Sequence, residues 1–170
     1  MEIPGSMYLY TLATVSITFV GFSALLMIFR QTIGGAMTRY DAFFTLSFIQ
    51  TGFIVTAGSM LPQLLALFEW SHGAVWRVSS TILAMTILSF VATFPARRRA
   101  ATEDRAPLYV NVLLVVQTLI AVSLILNAIG KPLEPGAALY ASAMAGFLLT
   151  SGIAYLVALS AMLRKPVRRS

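Results

Sequence analysis

AALYASAMAGFLLTSGIAYLVALSAML, residues 137–163, runs without a single charged side chain and exceeds the roughly 20 residues that a helix needs to cross the hydrocarbon core of a bilayer. Within it Ala138, Ser142, Gly146, Thr150, Ala154 and Ala158 recur every four residues. On a helix this spacing draws one drifting ridge with almost no side-chain bulk. Ridges of that kind let helix backbones approach closely in lipid, where packing and interhelical hydrogen bonds replace the drive that burial provides in water. The stretch therefore predicts a packed transmembrane helix, and the rest of the chain repeats its character.

Four further apolar stretches precede it, at 8–29, 42–68, 74–94 and 108–129, each long enough to span. Gly34 and Gly35, then Gly73, Pro95 and Pro107, then Gly130, Pro132, Pro135 and Gly136 punctuate the connections. Such short links make consecutive helices antiparallel neighbours. The expected fold is all-α: one transmembrane domain over 1–170, a bundle of five helices. Counting Lys and Arg on the two sides gives ten against two, with only Arg77 and Lys131 on the poor side. Because cytoplasmic loops keep the positive excess, the amino terminus is expected outside and the carboxyl terminus in the cytoplasm. Residues 1–7 hold Glu2 and no Lys or Arg, so the first run reads as a permanent span and not as a secretory signal.

Composition agrees. Of the 170 residues, 58% are hydrophobic and only 11% charged, with a mean hydropathy of +0.84, whereas charged residues make up about a quarter of an ordinary soluble domain. The net charge of +6 would suggest nucleic acid in a soluble chain; here topology accounts for where the charges fall, and no nucleic-acid partner is expected. There is no cysteine and a single histidine, His72, which leaves no thiolate chemistry and no metal-ligand cluster to read. No cofactor is expected. His72 with Glu69, Trp70 and Trp76 forms a short outer segment that reads either as an acid–base pair in an aromatic pocket or as an interfacial aromatic belt, and the belt explains the same residues more simply.

The spans carry polar side chains of modest strength. In the second, Thr45, Gly52, Thr56, Ser59 and Gln63 share a narrow arc; in the first, Thr11, Thr14, Thr18 and Gly21 do the same; in the fifth the ridge supplies Ser142, Gly146 and Thr150. One reading makes these faces converge on a hydrated, uncharged path through one subunit or between several. The other has the hydroxyls bond to neighbouring helices or to their own i−4 carbonyls, with glycines permitting close approach. Gln50 and Gln117 fall near the expected midplane of their spans, and matched depth suggests an interhelical polar contact, since an unsatisfied amide in hydrocarbon costs several kcal/mol. Asn111 and Asn127 fall nearer the interfaces. No Asp, Glu, Lys, Arg or His is expected deep in a span, which argues against proton-coupled transport.

Arg97, Arg98 and Arg99, with Arg164, Lys165, Arg168 and Arg169, make the cytoplasmic face basic. Contact with anionic headgroups is the expected role, each such residue contributing about 1 kcal/mol near an anionic surface. Asp41 marks the start of the second helix, favoured there by the helix dipole. Gly34 and Gly35 lack the lysine-bearing loop of a nucleotide site and read as a turn. SITFVGFSALLMIFRQ, residues 16–31, resembles small bacterial inner-membrane proteins in general character, which suggests the bacterial cytoplasmic (inner) membrane as the location.

Two functions follow as expectations. The first is a non-enzymatic protein acting through helix packing, in a homo-oligomer or as an accessory subunit of another membrane protein. The alternative is a channel or facilitator for a small solute. No catalytic residue is assigned, because the spans hold serines without a histidine, lysine or carboxylate at their depth. The ridge at 138–158 is expected to pack inside one subunit, against the first or second helix.

Overall fold

The computed structural model describes residues 4–32, 38–102, 106–130 and 134–164, with the backbone alone at 30, 31 and 161–164. It is all-helical among these residues: α1 (Ser6–Thr32), α2 (Arg39–Ala66), α3 (His72–Ala101), α4 (Leu108–Ile129) and α5 (Ala137–Arg164). All five are long and apolar enough to cross a membrane.

Two helix starts have a side-chain cause. Thr38 caps α2: its hydroxyl accepts from the Asp41 N–H at 3.1 Å, and the Asp41 carboxylate accepts from the Thr38 N–H at 3.3 Å. This reciprocal box satisfies two of the donors that a helix start leaves over. Asp41 is thus the third residue of the helix and not its first. Ser71 caps α3 by a single bond, its hydroxyl accepting from the Ala74 N–H. At the end of α4, Gly130 takes a left-handed conformation (φ 76°) that its lack of a side chain permits, and its N–H closes on Leu126 O at 3.0 Å.

The largest difference from the expected boundaries lies in α3. Pro95 was expected to end the third span at 94; instead it sits inside a helix that runs on to Ala101. Proline removes one N–H and crowds the preceding turn, yet a single missing bond does not stop a helix whose neighbours pack along its length. The consequence is that Arg97, Arg98 and Arg99 stand on a helix and not in a loop.

α2, α3, α4 and α5 form a ring in which each helix packs on the next and α5 returns to α2, while α2 and α4 face each other across the axis without close backbone approach. α1 lies outside the ring, laid along α2 and touching α5 lightly. Val55, Leu83, Ile87, Leu124, Tyr140, Met144 and Phe147 fill the axis toward the His72 end. The Tyr140 hydroxyl donates to Gly58 O at 2.7 Å, satisfying a buried phenol that would otherwise cost as much as a lost hydrogen bond. α1 is joined to α2 at Gly52. There the Ser16 hydroxyl donates to Gly52 O at 2.9 Å, and a methyl added at Gly52 would overlap the Val20 Cγ2 methyl.

The ridge on α5 does not form the seam expected of it. Ala138 and Ser142 are exposed, Gly146 faces Ile120 of α4 closely enough that an added methyl would come within 3.4 Å of its side chain, and only Ala158 is buried, beside Phe44 of α2. The face that meets the other helices is the adjacent one, carrying Tyr140, Met144, Phe147, Ser151 and Tyr155. Large interlocking side chains, in rotamers that lean back over the preceding turn, bury more atoms than the small ridge can.

Candidate functional site

The hydroxyl stripes do not converge. Thr11, Thr14 and Thr18 are exposed on α1, and each donates to the carbonyl four residues back, at 2.7–2.9 Å. On α2, Thr45 and Thr56 bond back to Asp41 O and Gly52 O. Ser59 is fully buried, with no partner for its hydroxyl. With the Gln63 amide turned, its nitrogen reaches Ser59 O and Met60 O within its own helix. Thr150 on α5 donates to Gly146 O and Phe147 O. Most of these hydroxyls are therefore spent on local backbone, the outcome that the residue type favours inside a helix.

Gln50 and Gln117 do not meet either. The side-chain carbonyl of Gln50 accepts from Arg97 Nη1, and the Arg97 guanidinium lies 5.0 Å from the centroid of the Phe90 ring. Because α3 continues past Pro95, the Arg97 side chain leans back along the helix toward Phe90, in the direction helical side chains take. Arg98 is 5% exposed and Asp41 1%. These three charged residues lie in the end turns of α2 and α3, not in the middle of a helix. Arg99 is exposed, the side chain of Arg164 is not described, and Lys165, Arg168 and Arg169, like Gly34 and Gly35, lie outside the described residues.

Gln117 is the better-placed amide. It is 5% exposed, and its nitrogen donates to the Ser151 hydroxyl of α5 at 3.4 Å. Its carbonyl oxygen is buried and has no partner. Both residues line a half-enclosed cavity of about 50 Å³, as traced by the centre of a water molecule, between α2, α3, α4 and α5. Five aromatic rings, Phe44, Phe48, Phe90, Phe94 and Tyr155, line its wall. Phe48 and Tyr155 stack 4.3 Å apart at 18°, and Phe90 meets Phe94 at 5.9 Å. From Gln117 the wall descends α4 to Val110, about 10 Å of helix, so the cavity occupies the end of the axis that carries Arg97 and Arg98. The ring arrangement creates it: the α2 and α4 backbones stay apart there, and aromatic edges do not fill the gap.

Asn127, read from the sequence as unremarkable, is 1% exposed and holds three segments together. Its amide nitrogen donates to the Ser80 hydroxyl of α3 at 2.8 Å and to Gly136 O at 3.3 Å, and its oxygen accepts from the Gly136 N–H at 3.0 Å. A lone amide in an apolar run, three residues before a helix-ending glycine, was the available signal. Trp76 also differs from expectation: it is 3% exposed and packs 5.5 Å from Tyr140, so it belongs to the core, while Trp70 and His72 are exposed. Among the described residues no group of three or more His, Cys, Asp or Glu could hold a metal ion.

Chemically, the arrangement offers an uncharged aromatic recess with one idle acceptor, flanked by positive charge, and a set of local caps and clamps. No protein-family model matches the chain, and neither a curated protein nor a solved structure matches it significantly.

Proposed function

We propose that the chain is a non-enzymatic integral membrane protein that acts by helix association, as a homo-oligomer or as an accessory subunit of another membrane protein. It lies in the bacterial cytoplasmic (inner) membrane with its amino terminus outside. Every helix turns large apolar side chains outward, among them Phe22, Phe53, Met85, Leu119 and Leu156, which in water would form far larger apolar patches than soluble monomers tolerate. The ten-to-two charge split sets the orientation. Anionic headgroups meet the exposed Arg99 and the basic carboxyl-terminal residues.

One observation carries the choice of association over conduction. A path needs its polar side chains on a common lumen, but Thr14 and Thr18 face away from the bundle and bond to their own helix, while Ser59 is sealed inside. The facilitator reading needs those same residues in contact with solute. Proteoliposomes containing the purified chain and challenged osmotically with glycerol or urea are expected to swell no faster than empty liposomes. A protein-dependent increase in rate would restore the facilitator.

A further inference from the structure

We propose that the cavity at the basic end of the bundle axis is a binding site for a small, uncharged molecule of a few heavy atoms that donates a hydrogen bond to Gln117 Oε1. The oxygen is buried, lines the cavity and has no partner, while the amide nitrogen beside it is already committed to Ser151. An acceptor left this way in an apolar setting selects for a donor, because any ligand without one leaves it unsatisfied. Size follows from volume: about 50 Å³ is a third of the roughly 150 Å³ that takes up benzene in an engineered cavity.

Charge is excluded from both directions. A cation would approach Phe90, a wall residue whose ring already carries the Arg97 guanidinium, and would meet like charge. An anion would meet the unpaired Gln117 carbonyl oxygen and would have to leave water for an otherwise apolar recess. A neutral donor with a short apolar body fits what remains: the body against Phe48 and Tyr155, the donor on Gln117.

The test compares ethanol with dimethyl ether, isomers of equal heavy-atom count of which only ethanol donates. The full chain is labelled with 3-fluorotyrosine in lipid nanodiscs, and ¹⁹F shifts are followed at Tyr155 in the cavity wall and at the exposed Tyr8 and Tyr10. Ethanol is expected to shift Tyr155 saturably, with a midpoint of about 1–100 mM, the range open to a three-atom ligand. Dimethyl ether is expected to need about tenfold more, the cost of an unmet acceptor. Gln117→Met, which keeps shape and removes the acceptor, should close that gap; if this variant does not fold, the wild-type comparison decides alone. Non-saturable shifts shared by all three tyrosines would mean that ethanol merely enters the lipid, and would overturn the proposal. So would dimethyl ether binding as well as ethanol or better, since the walls alone, or the amide nitrogen, would then be selecting.

Discussion

Asn127→Leu is expected to destabilise the fold by about 2–4 kcal/mol, as the leucine leaves the Ser80 hydroxyl and the Gly136 N–H without their partner in a buried corner. Two magnitudes bear on the size. Leaving a buried polar group unmet costs about 1–3 kcal/mol in water-soluble proteins, but interhelical hydrogen bonds measured in a membrane protein average about 0.6 kcal/mol. The higher figure is favoured here because Asn127 makes three bonds to two different segments, and because the start of α5 has no side-chain cap of its own among the described residues. Unfolding the purified protein reversibly in mixed detergent micelles gives the number. Ser80→Ala should cost about 1 kcal/mol, and a double-mutant cycle should show the two residues coupled by at least about 0.5 kcal/mol. Additive losses would mean that the bond contributes nothing.

Gly52→Ala is expected to loosen α1 selectively. The new methyl would overlap Val20 Cγ2, so the helices must separate and stretch the bond from Ser16 to Gly52 O. Overpacking of this kind costs about 1–3 kcal/mol. Because α1 leans chiefly on α2, amide exchange should quicken along α1 while α3 and α4 stay protected. The second substitution Val20→Ala deletes the clashing methyl groups and should recover most of the loss. That rescue separates a steric clash from a general intolerance of Gly52 replacement; a double variant less stable than either single one would refute the clash.

Much of the architecture is legible in the sequence because apolar length is a strong signal. The fourth stretch, 108–129, coincides with α4, and the others differ by up to three residues at their ends, save the far end of the third, which falls seven residues short of α3. Pro95 misleads because proline is read as a break, whereas a packed apolar helix tolerates one missing bond. Everything downstream of that reading shifts with it: Arg97 becomes a partner of Gln50, and Arg98 becomes a buried residue. The α5 ridge misleads differently. Its regular spacing is visible in one dimension, but which face of a helix meets its neighbours depends on all the others, and the bulkier stripe of Tyr140, Met144 and Phe147 prevails. Of the candidate site, Gln117 could be singled out by its depth. Its partner Ser151, 34 positions away, and the aromatic rings around it could not, since only the ring of α2 to α5 brings them together. The same holds for Asn127 and Ser80.

The association reading is tested most directly by extracting the protein from its own membrane with a lipid-retaining polymer and weighing the intact discs' protein content by native mass spectrometry. The account predicts more than one chain per disc, either copies of this chain or this chain with a second membrane protein. A single copy alone in its native lipid would contradict it.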